Sequence, residues 1–316
     1  MNSNTNQVAN KLDSDSDSST LSACTPASSE RPVVLGLIRL MRPRQWIKNA
    51  FVLAPLIFAG QFLELYAVSQ ALLAFVLFSL ASSATYIIND LRDIEEDRKH
   101  PVKSIKRPLA SGWVKPVHAY PLLAVLYAVL IGGFFVQPEV MGVIVSYLLL
   151  NLAYSYWLKY QPVLDIFTIA IGFVLRVYAG AMAIDVPVSS WMFVTTLSLA
   201  LFLAAIKRRQ ELTLSGEAGR KVLKMYSVSI VDKFAEISAT GALLFYSFFV
   251  MSARPELVVT VPFVLFGLFR YWYIVEFLGE GESPTDALLT DKQLMLTVLG
   301  WVLASLWALW PTGMGA

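Results

Sequence analysis

An acidic run that directly follows a long apolar segment is the stretch of this sequence best suited to chemistry. Asp90, Asp93 and Asp97 come after apolar residues 71–88. If the helix continues, these carboxylates stand at i, i+3 and i+7 and share one face. Their mutual repulsion is relieved by a cation that prefers oxygen ligands, first of all Mg²⁺, with Mn²⁺ as a substitute. The spacing therefore predicts a metal site, and its alternative is a solvated acidic helix end.

The residues after the acidic run are basic, which favours phosphate as the second component of the site. They are Arg98, Lys99, His100, Lys103, Lys106 and Arg107. Lysine supplies a point charge and arginine a planar fork for phosphate oxygens. Pro108 and Gly112 punctuate this loop, and Asn89 precedes the first aspartate. The two runs together predict a site for a metal–diphosphate complex, with a plain basic loop as the alternative.

Charged residues inside apolar segments form a second group of candidates. Arg176 comes eleven residues after Asp165, about three helical turns, so both lie on roughly the same face. Charges at membrane depth usually face the bundle interior and mark function; the alternative is a buried structural pair with another span. Arg270 also needs a partner inside the bundle, either a substrate phosphate or an acid of the loop 279–284.

Further candidates lie where apolar segments end. They are Arg44, Lys48, Tyr154, Lys159 and Lys207. Anchoring of a positively charged membrane face is the plain explanation for the basic ones, and phosphate binding is the functional explanation. Glu211 stands four residues after Lys207 and can pair with it on a helix.

The elements that must position these residues are membrane helices. The chain has 316 residues, of which 56% are hydrophobic and only 15% charged, against about 25% in soluble domains. Nine segments have the length expected of membrane helices: about 46–63, 67–90, 118–136, 139–158, 163–184, 190–207, 234–253, 257–278 and 293–310. The prediction is an all-α, nine-helix bundle around a cavity that faces the cytoplasm. It spans residues 32–316, after a polar tail, residues 1–31, that is predicted to be disordered.

The distribution of lysine and arginine predicts the orientation. With the tail in the cytoplasm, the outer loops contain a single basic residue, Arg254, so every charged cluster faces the cytoplasm. The predicted location is the inner or plasma membrane of the cell. The single cysteine excludes a cysteine-based metal site, and the presence of only two histidines argues against a histidine metal cluster. No nucleic acid is expected as a partner, and a homo-oligomer is left open.

The motif Asn89-Asp90-x-x-Asp93-x-x-x-Asp97, with nine predicted helices around it, resembles the UbiA superfamily of intramembrane prenyltransferases. The resemblance covers residues 33 to about 312. Segments 42–49, 172–176, 179–181, 207–212, 269–271 and 281–284 are similar to its decaprenyl-phosphate phosphoribosyltransferase branch. Aromatic prenyltransferases of the superfamily commonly carry a second Asp-x-x-x-Asp pair. Here the residue four positions after Asp165 is Ile169 rather than a second aspartate. This difference favours the phosphoribosyl branch.

The resemblance implies transfer of a 5-phosphoribosyl group from phosphoribosyl diphosphate to a polyprenyl phosphate, for lipid-linked arabinose or a related pentose of the cell envelope. Mg²⁺ would be held by Asp90 and Asp93, and Asp97 would hold a ribose hydroxyl or a second ion. Arg176 would reach the lipid phosphate or a buried acid. The expected catalytic residues are Asp90, Asp93, Asp97, Lys48 and Arg176. The expected substrate contacts are Asn89, Arg44, Lys106, Arg107, Tyr154, Lys159, Asp165, Lys207 and Arg270.

Two other functions compete with this one. An aromatic prenyltransferase of the same superfamily would use a prenyl diphosphate donor and predicts a second carboxylate pair. A transporter of an anionic metabolite would predict discontinuous helices at mid-membrane and no dependence on Mg²⁺.

Overall fold

The computed structural model describes residues 32–99, 103–215, 221–277 and 284–310, and every regular element in these ranges is helical. The predicted tail and most of the loop 279–284 lie outside the described residues. The α-helices are α1 (Val33–Leu40), α2 (Ala54–Phe58), α3 (Leu65–Arg92), α4 (Ile94–Lys99), α5 (Lys103–Lys106), α6 (Pro116–Gly133), α7 (Pro138–Tyr156), α8 (Leu164–Ala183), α9 (Ser190–Ser215), α10 (Val228–Ala253), α11 (Val261–Phe277), α12 (Pro284–Thr290) and α13 (Lys292–Ala308). Short 3₁₀ helices cover Pro43–Leu53, Leu158–Tyr160, Lys221–Met225 and Pro255–Thr260.

The all-helical membrane architecture predicted from the sequence is confirmed. Among the described residues, seven helices are long and apolar enough to cross a membrane, and α12 with α13, bent by 94°, would make an eighth. The first predicted span, 46–63, is instead a 3₁₀ helix followed by the short α2, which ends at Phe58. The count of nine spans therefore stays a prediction.

Tertiary contacts explain why the first segment is 3₁₀ rather than α-helical. A 3₁₀ helix of eleven residues is unusually long. Its Asn49 is buried and donates hydrogen bonds to Ser79 and Ser82 of α3. Gly180 of α8 lies so close to the Val52 carbonyl that a Cβ at this position would collide with it. Neighbouring helices thus hold this segment in place.

The long helix α3 lies at the centre of the first half of the bundle. Small residues such as Ala74, Ala81 and Ser83 are fully buried along it, which allows the surrounding helices to approach closely. It packs against α6, α7, α8 and the 3₁₀ helix Pro43–Leu53. In contrast, α6, α7 and α10 bury only a minor share of their apolar stretches, so much of their surface faces lipid.

Several charged helix ends meet at one end of this bundle. The end of α3 meets the end of α7, where Ser155 donates a hydrogen bond to Asn89. The end of α9 also meets the start of α10 and the end of α11. There Arg209 of α9 binds Asp232 of α10 at 2.7 Å and Glu276 of α11 at 2.5 Å. We call this the charged end.

Candidate active site

The centre of the charged end is a chain of alternating charges. Asp90 is buried, and its Oδ1 lies 2.5 Å from a guanidinium nitrogen of Arg42 and 3.0 Å from one of Arg107. Arg107 also forms a very short ion pair with Asp97, whose other oxygen lies 3.9 Å from Lys103 Nζ. Arg107 therefore bridges the two buried carboxylates. We call these five residues the aspartate cluster.

Backbone strain at Arg42 helps to form this cluster. Arg42 adopts a left-handed backbone conformation, with φ 55° and ψ 58°. This conformation costs a non-glycine residue about 1–3 kcal/mol, and such strained residues cluster at functional sites. Its guanidinium lies 4.9 Å from the ring centroid of Tyr86 while it binds Asp90. The strained turn before Pro43 therefore points a cation from the first segment at the end of α3.

Asp93 is less buried than Asp90 and Asp97 and follows the end of α3. Helix α3 continues past Ile88 as predicted but ends at Arg92, with Asp93 as its half-buried C-cap before α4 starts. The Asp97 N–H still bonds to the Asp93 carbonyl at 2.9 Å. Within the described part of the chain, no three Asp, Glu, His or Cys side chains lie close enough to hold a metal ion together. The role of Asp93 stays a prediction.

Asp90 and Asp97 nevertheless suit a divalent cation. Mg²⁺ usually binds one or two protein carboxylates together with substrate phosphates and water. Asp90 Oδ2 is buried and has no hydrogen-bond partner among the described residues, so this oxygen is available as a ligand. Arg107 contacts both carboxylates, and its planar fork also suits phosphate oxygens.

The end of α7 packs against the end of α3 beside the cluster. Asn89 accepts a hydrogen bond from the Ser155 hydroxyl at 3.0 Å, and Arg92 donates to the Ser155 carbonyl at 3.1 Å. Tyr154 is half-buried beside this contact. Lys159 follows in the next turn, with its ammonium 5.2 Å from the Tyr160 ring centroid. The structure thus brings Asn89, Tyr154 and Lys159 to the charged end.

Arg176 lies deeper in the bundle, and the described contacts give its guanidinium only neutral partners. It donates to Asn49 Oδ1 at 2.8 Å, to the Gly172 carbonyl at 2.7 Å and to the Tyr147 hydroxyl at 3.4 Å. Its charge also faces the rings of Phe78, Tyr147 and Phe173 at about 5 Å. Arg176 does not pair with Asp165, although the two residues share a helix.

Two more predicted cations, Lys48 and Lys207, lie in or near the 3₁₀ helix Pro43–Leu53. Lys48 is half-buried, and its ammonium lies in the field of Lys207, Arg176 and Arg42, opposed by Asp286 of α12. Lys207 lies 4.0 Å from Glu211, which confirms the predicted contact, although Arg208 makes the shorter pair with that glutamate. Two further cations are peripheral. Arg44 is exposed and 3.8 Å from Asp286, and Lys106 is exposed at the end of α5.

Asp165 is fully enclosed by protein groups. Its Oδ2 lies 2.9 Å from the buried Arg208 guanidinium, and its Oδ1 accepts a hydrogen bond from the Tyr226 hydroxyl at 2.7 Å. Burial raises the pKa of Tyr226, and the hydrogen bond to Asp165 raises it further. The phenol therefore stays a proton donor near neutral pH.

Arg270 finds its partner in the segment that leads into α13. It binds Asp291 through two guanidinium nitrogens, at 3.1 and 2.6 Å, and Asp291 also caps α13 by accepting from the Leu294 N–H at 2.7 Å. The hydrogen bond from Arg270 lowers the pKa of the Asp291 carboxyl. The partner is thus an acid that lies beyond the predicted loop 279–284, and Arg270 serves to join α11 to α13.

Sequence reasoning missed Arg42, Asn49, Arg208 and Tyr226 as parts of the site. Arg42 and Asn49 belong to the basic segment 42–49, and Arg208 adjoins Lys207 in the run 207–211. Their roles depend on which helix ends meet. Tyr226 had no sequence pattern to mark it, because a tyrosine in a loop is ordinary without its neighbours.

Comparison with known proteins finds a matching family and similar proteins of known name. The sequence model of the UbiA prenyltransferase family matches residues 49–287. The chain is 36% identical over 283 residues to the decaprenyl-phosphate phosphoribosyltransferase of Mycobacterium tuberculosis H37Rv, covering 85% of this chain and 93% of that protein. It is also 36% identical over 298 residues to the protein of the same name from Mycolicibacterium smegmatis, covering 87% and 93%.

The fold has a counterpart among solved structures. The structure of a UbiA homolog from Archaeoglobus fulgidus bound to GPP and Mg²⁺ aligns with a TM-score of 0.67 at 20% identity, covering 87% of this chain and 99% of that one. At this identity the likeness bears on the fold alone.

Proposed function

Because the chain belongs to the UbiA prenyltransferase family, we propose that it transfers a 5-phosphoribosyl group from phosphoribosyl diphosphate to a polyprenyl phosphate and releases diphosphate. One observation carries the proposal: the aspartate cluster lies among cations suited to phosphate, in a chain 36% identical to decaprenyl-phosphate phosphoribosyltransferases over most of its length. The relatives' names supply the substrate class, and the geometry is suited to it.

The aspartate cluster is the proposed site for the diphosphate of the donor. Asp90 and Asp97 would hold Mg²⁺, which when bound neutralises charge that develops on the departing diphosphate. Arg107 and Arg42 already contact these carboxylates, so they lie where they can pass to phosphate oxygens. Asp93, at the break between α3 and α4, is proposed as a further ligand to the metal or to a ribose hydroxyl.

The reaction needs little proton transfer from the protein. A lipid phosphate oxygen, already ionised, attacks the anomeric carbon of the ribose, and the bond from this carbon to diphosphate breaks with its electron pair. Positioning of the two substrates supplies most of the acceleration. Lys48, Lys159 and Lys207 supply positive charge around the two phosphate groups, and Asn89 and Tyr154 line the same end. Arg44 and Lys106 are exposed and would act at its rim.

The lipid acceptor would enter sideways from the bilayer, with its phosphate at the charged end. We place that end on the cytoplasmic side, because lysine and arginine concentrate in loops on this side. Cytosolic phosphoribosyl diphosphate and Mg²⁺ would reach it there. Asp165 has no second aspartate four residues on, because Ile169 stands there, and its charge is matched by Arg208. This observation weighs against an aromatic prenyltransferase.

Transfer of radiolabel tests the proposal. Purified protein receives labelled phosphoribosyl diphosphate, a polyprenyl phosphate and Mg²⁺, with a parallel sample that contains a chelator. We expect label in the organic phase only with Mg²⁺, and Mn²⁺ should restore it after chelation. Prenylation of an aromatic acid from a prenyl diphosphate, without ribose transfer, would refute the proposed substrates and leave the family unaffected. Uptake of an anionic metabolite into vesicles without any transfer would favour the transporter.

A further inference from the structure

A second network at the charged end, built around the buried Asp165–Arg208 ion pair, has no place in the chemistry above. It consists of Val163, Asp165, Arg208 and Tyr226, which we call the tyrosine clasp. We propose that Tyr226 is a positioning residue that holds Lys159 and Lys207 in place for phosphate binding. This inference rests on the proposed function and assigns a role to residues that do not themselves contact substrate.

The hydroxyl of Tyr226 connects two distant segments of the chain. It donates a hydrogen bond to Asp165 Oδ1 at the start of α8, at 2.7 Å. It also accepts one from the Val163 N–H at 2.5 Å. Tyr226 itself follows the 3₁₀ helix Lys221–Met225, which contacts the 3₁₀ helix Leu158–Tyr160. One oxygen atom therefore joins the connection after α9 to the turn that precedes α8.

That turn is strained and needs outside support. Val163 has φ 69° and ψ −48°, and the Leu164 N–H bonds to the Pro162 carbonyl at 2.8 Å. These are the features of the rare, strained form of γ-turn, with a positive φ at its central residue, and a β-branched residue is especially unfavourable there. Such strain persists only where the surroundings fix it. Tyr226 provides this support by binding the Val163 N–H.

The charged half of the clasp orients the end of α9. Arg208 and Asp165 are both fully buried, and Arg208 also forms a very short ion pair with Glu211. A buried ion pair adds little net stability compared with apolar packing, whereas its geometry fixes how the two helices meet. Burial of Tyr226 raises its pKa and keeps the hydroxyl as a donor to Asp165.

Each side of the clasp adjoins a candidate phosphate ligand. Lys159 precedes Val163 by four residues, and Lys207 directly precedes Arg208. Lys207 lies in the field of Lys48, and the chain before Lys159 contacts Asn89 through Ser155. The clasp thus completes a ring of helix ends that begins at the aspartate cluster. Removing one hydroxyl from it should loosen two cations and leave every charge in place.

Tyr226→Phe is the direct test, because it removes this hydroxyl and keeps the ring. We expect the KM for phosphoribosyl diphosphate to rise about tenfold, on the scale of one lost hydrogen bond to a charged group. The kcat should change by less than about threefold, and the thermal midpoint should fall by only a few degrees. Tyr160→Phe is the matched control. It makes the same change three residues before Val163, where the tyrosine hydroxyl has no hydrogen bond to the described residues. This variant should behave as wild type.

A double-mutant cycle with Asp165→Asn separates positioning from general damage. If Tyr226 acts through Asp165, the two substitutions together should raise KM by much less than the product of their separate effects. Multiplicative effects, or an unchanged KM in Tyr226→Phe, would overturn the inference. A lower kcat at unchanged KM, with a lower thermal midpoint, would indicate loss of folded protein and a purely structural role, and would overturn it as well.

A measurement without turnover keeps the clasp separate from the proposed reaction. In a Cys24→Ser background, spin labels at Trp157→Cys and Lys224→Cys report the distance between the two 3₁₀ segments. We expect Tyr226→Phe to broaden this distance distribution and Tyr160→Phe to leave it sharp; an unchanged distribution in Tyr226→Phe contradicts the clasp. If wild-type protein transfers no phosphoribosyl group, the proposed function fails, whatever the labels report.

Discussion

Two arginines of this protein are used in opposite ways. Arg107, at the charged end, keeps about a quarter of its side chain exposed and bridges the carboxylates of Asp90 and Asp97. Arg176, inside the bundle, is 5% exposed and binds an amide oxygen, a backbone carbonyl, a phenol and three aromatic faces. One arginine has anionic partners near water, and the other has neutral partners in the interior.

The difference shows which contacts a ligand can exchange. Metal ions compete for carboxylates and phosphates compete for guanidinium groups, so each contact of Arg107 can be replaced by substrate without leaving a charge unmatched. The partners of Arg176 are a helix carbonyl and side chains that hold Asn49 and the first segment. Their loss would expose unsatisfied groups at depth. We therefore assign exchange to the first arginine and permanent support to the second.

The largest expected effect is loss of transfer when a carboxylate of the aspartate cluster is neutralised. Asp90→Asn keeps the shape of the side chain but removes the charge that Mg²⁺, Arg42 and Arg107 share. We expect kcat/KM to fall by on the order of 10²–10³-fold, as when one main electrostatic contact to a reacting group is removed. Label transfer to the organic phase measures it.

Glu95→Gln is the matched control for this substitution. Glu95 is exposed on α4 and pairs only with Arg98 among the described residues, so the same loss of charge occurs close by without touching Asp90. It should keep wild-type transfer. Because the neutral amide of Asp90→Asn leaves two arginines facing each other, this variant must also be shown to elute as folded protein. Wild-type turnover in folded Asp90→Asn would exclude this carboxylate from the chemistry.

A smaller effect is expected from Arg107→Gln, with opposite signs for the two ligands. Without its cation, the carboxylate pair should bind Mg²⁺ or Mn²⁺ more tightly when no substrate is present, by about tenfold on the scale of one charge-assisted hydrogen bond. Binding of phosphoribosyl diphosphate should weaken, because its phosphate oxygens lose the bidentate contact with the guanidinium group of Arg107. Calorimetric titration of each ligand measures both changes, independently of turnover.

Arg98→Gln controls for the general loss of positive charge at this end of the molecule. Arg98 binds Glu95 and none of the described residues of the aspartate cluster, so metal affinity should stay at its wild-type value. If Arg107→Gln weakened metal binding, Arg107 would support the carboxylates rather than compete for them, and its exchange between ligands would be refuted.

The fold was largely predictable, because long runs of apolar residues identify membrane helices in a sequence. Seven predicted spans correspond to long helices, and their ends agree with the predicted ones to within a few residues for most of them. The 3₁₀ geometry of the first span was not predictable, since it depends on Asn49 binding α3 and on contact with Gly180. Local sequence does not contain those distant partners.

The site was predictable in its residue types and less so in its pairings. Asp90, Asp97 and Arg107 lie together as the acidic and basic runs suggested. Asp93 follows the end of α3 and, in the described part of the chain, does not form a three-carboxylate metal group with Asp90 and Asp97. Asp165 and Arg176 share a helix but have separate partners, Arg208 and Asn49. Such pairings follow from helix packing, which no periodicity in one segment reveals.

The smallest expected effect is on stability, from Arg176→Lys. Lysine keeps the positive charge but lacks the planar fork that binds Asn49, Gly172 and Tyr147 together. We expect a loss of about 1–2 kcal/mol in unfolding free energy, near the upper range for hydrogen bonds between membrane helices, and unchanged affinity for Mg²⁺. Arg254→Lys is the control at the opposite end of the bundle, where arginine donates one described hydrogen bond, to the Ala59 carbonyl, and the loss should be smaller. Tryptophan fluorescence during unfolding in detergent gives both values. If Arg176→Lys instead unfolded like wild type and raised only the KM for the lipid phosphate, Arg176 would be an exchangeable contact like Arg107, and the distinction between the two arginines would be wrong.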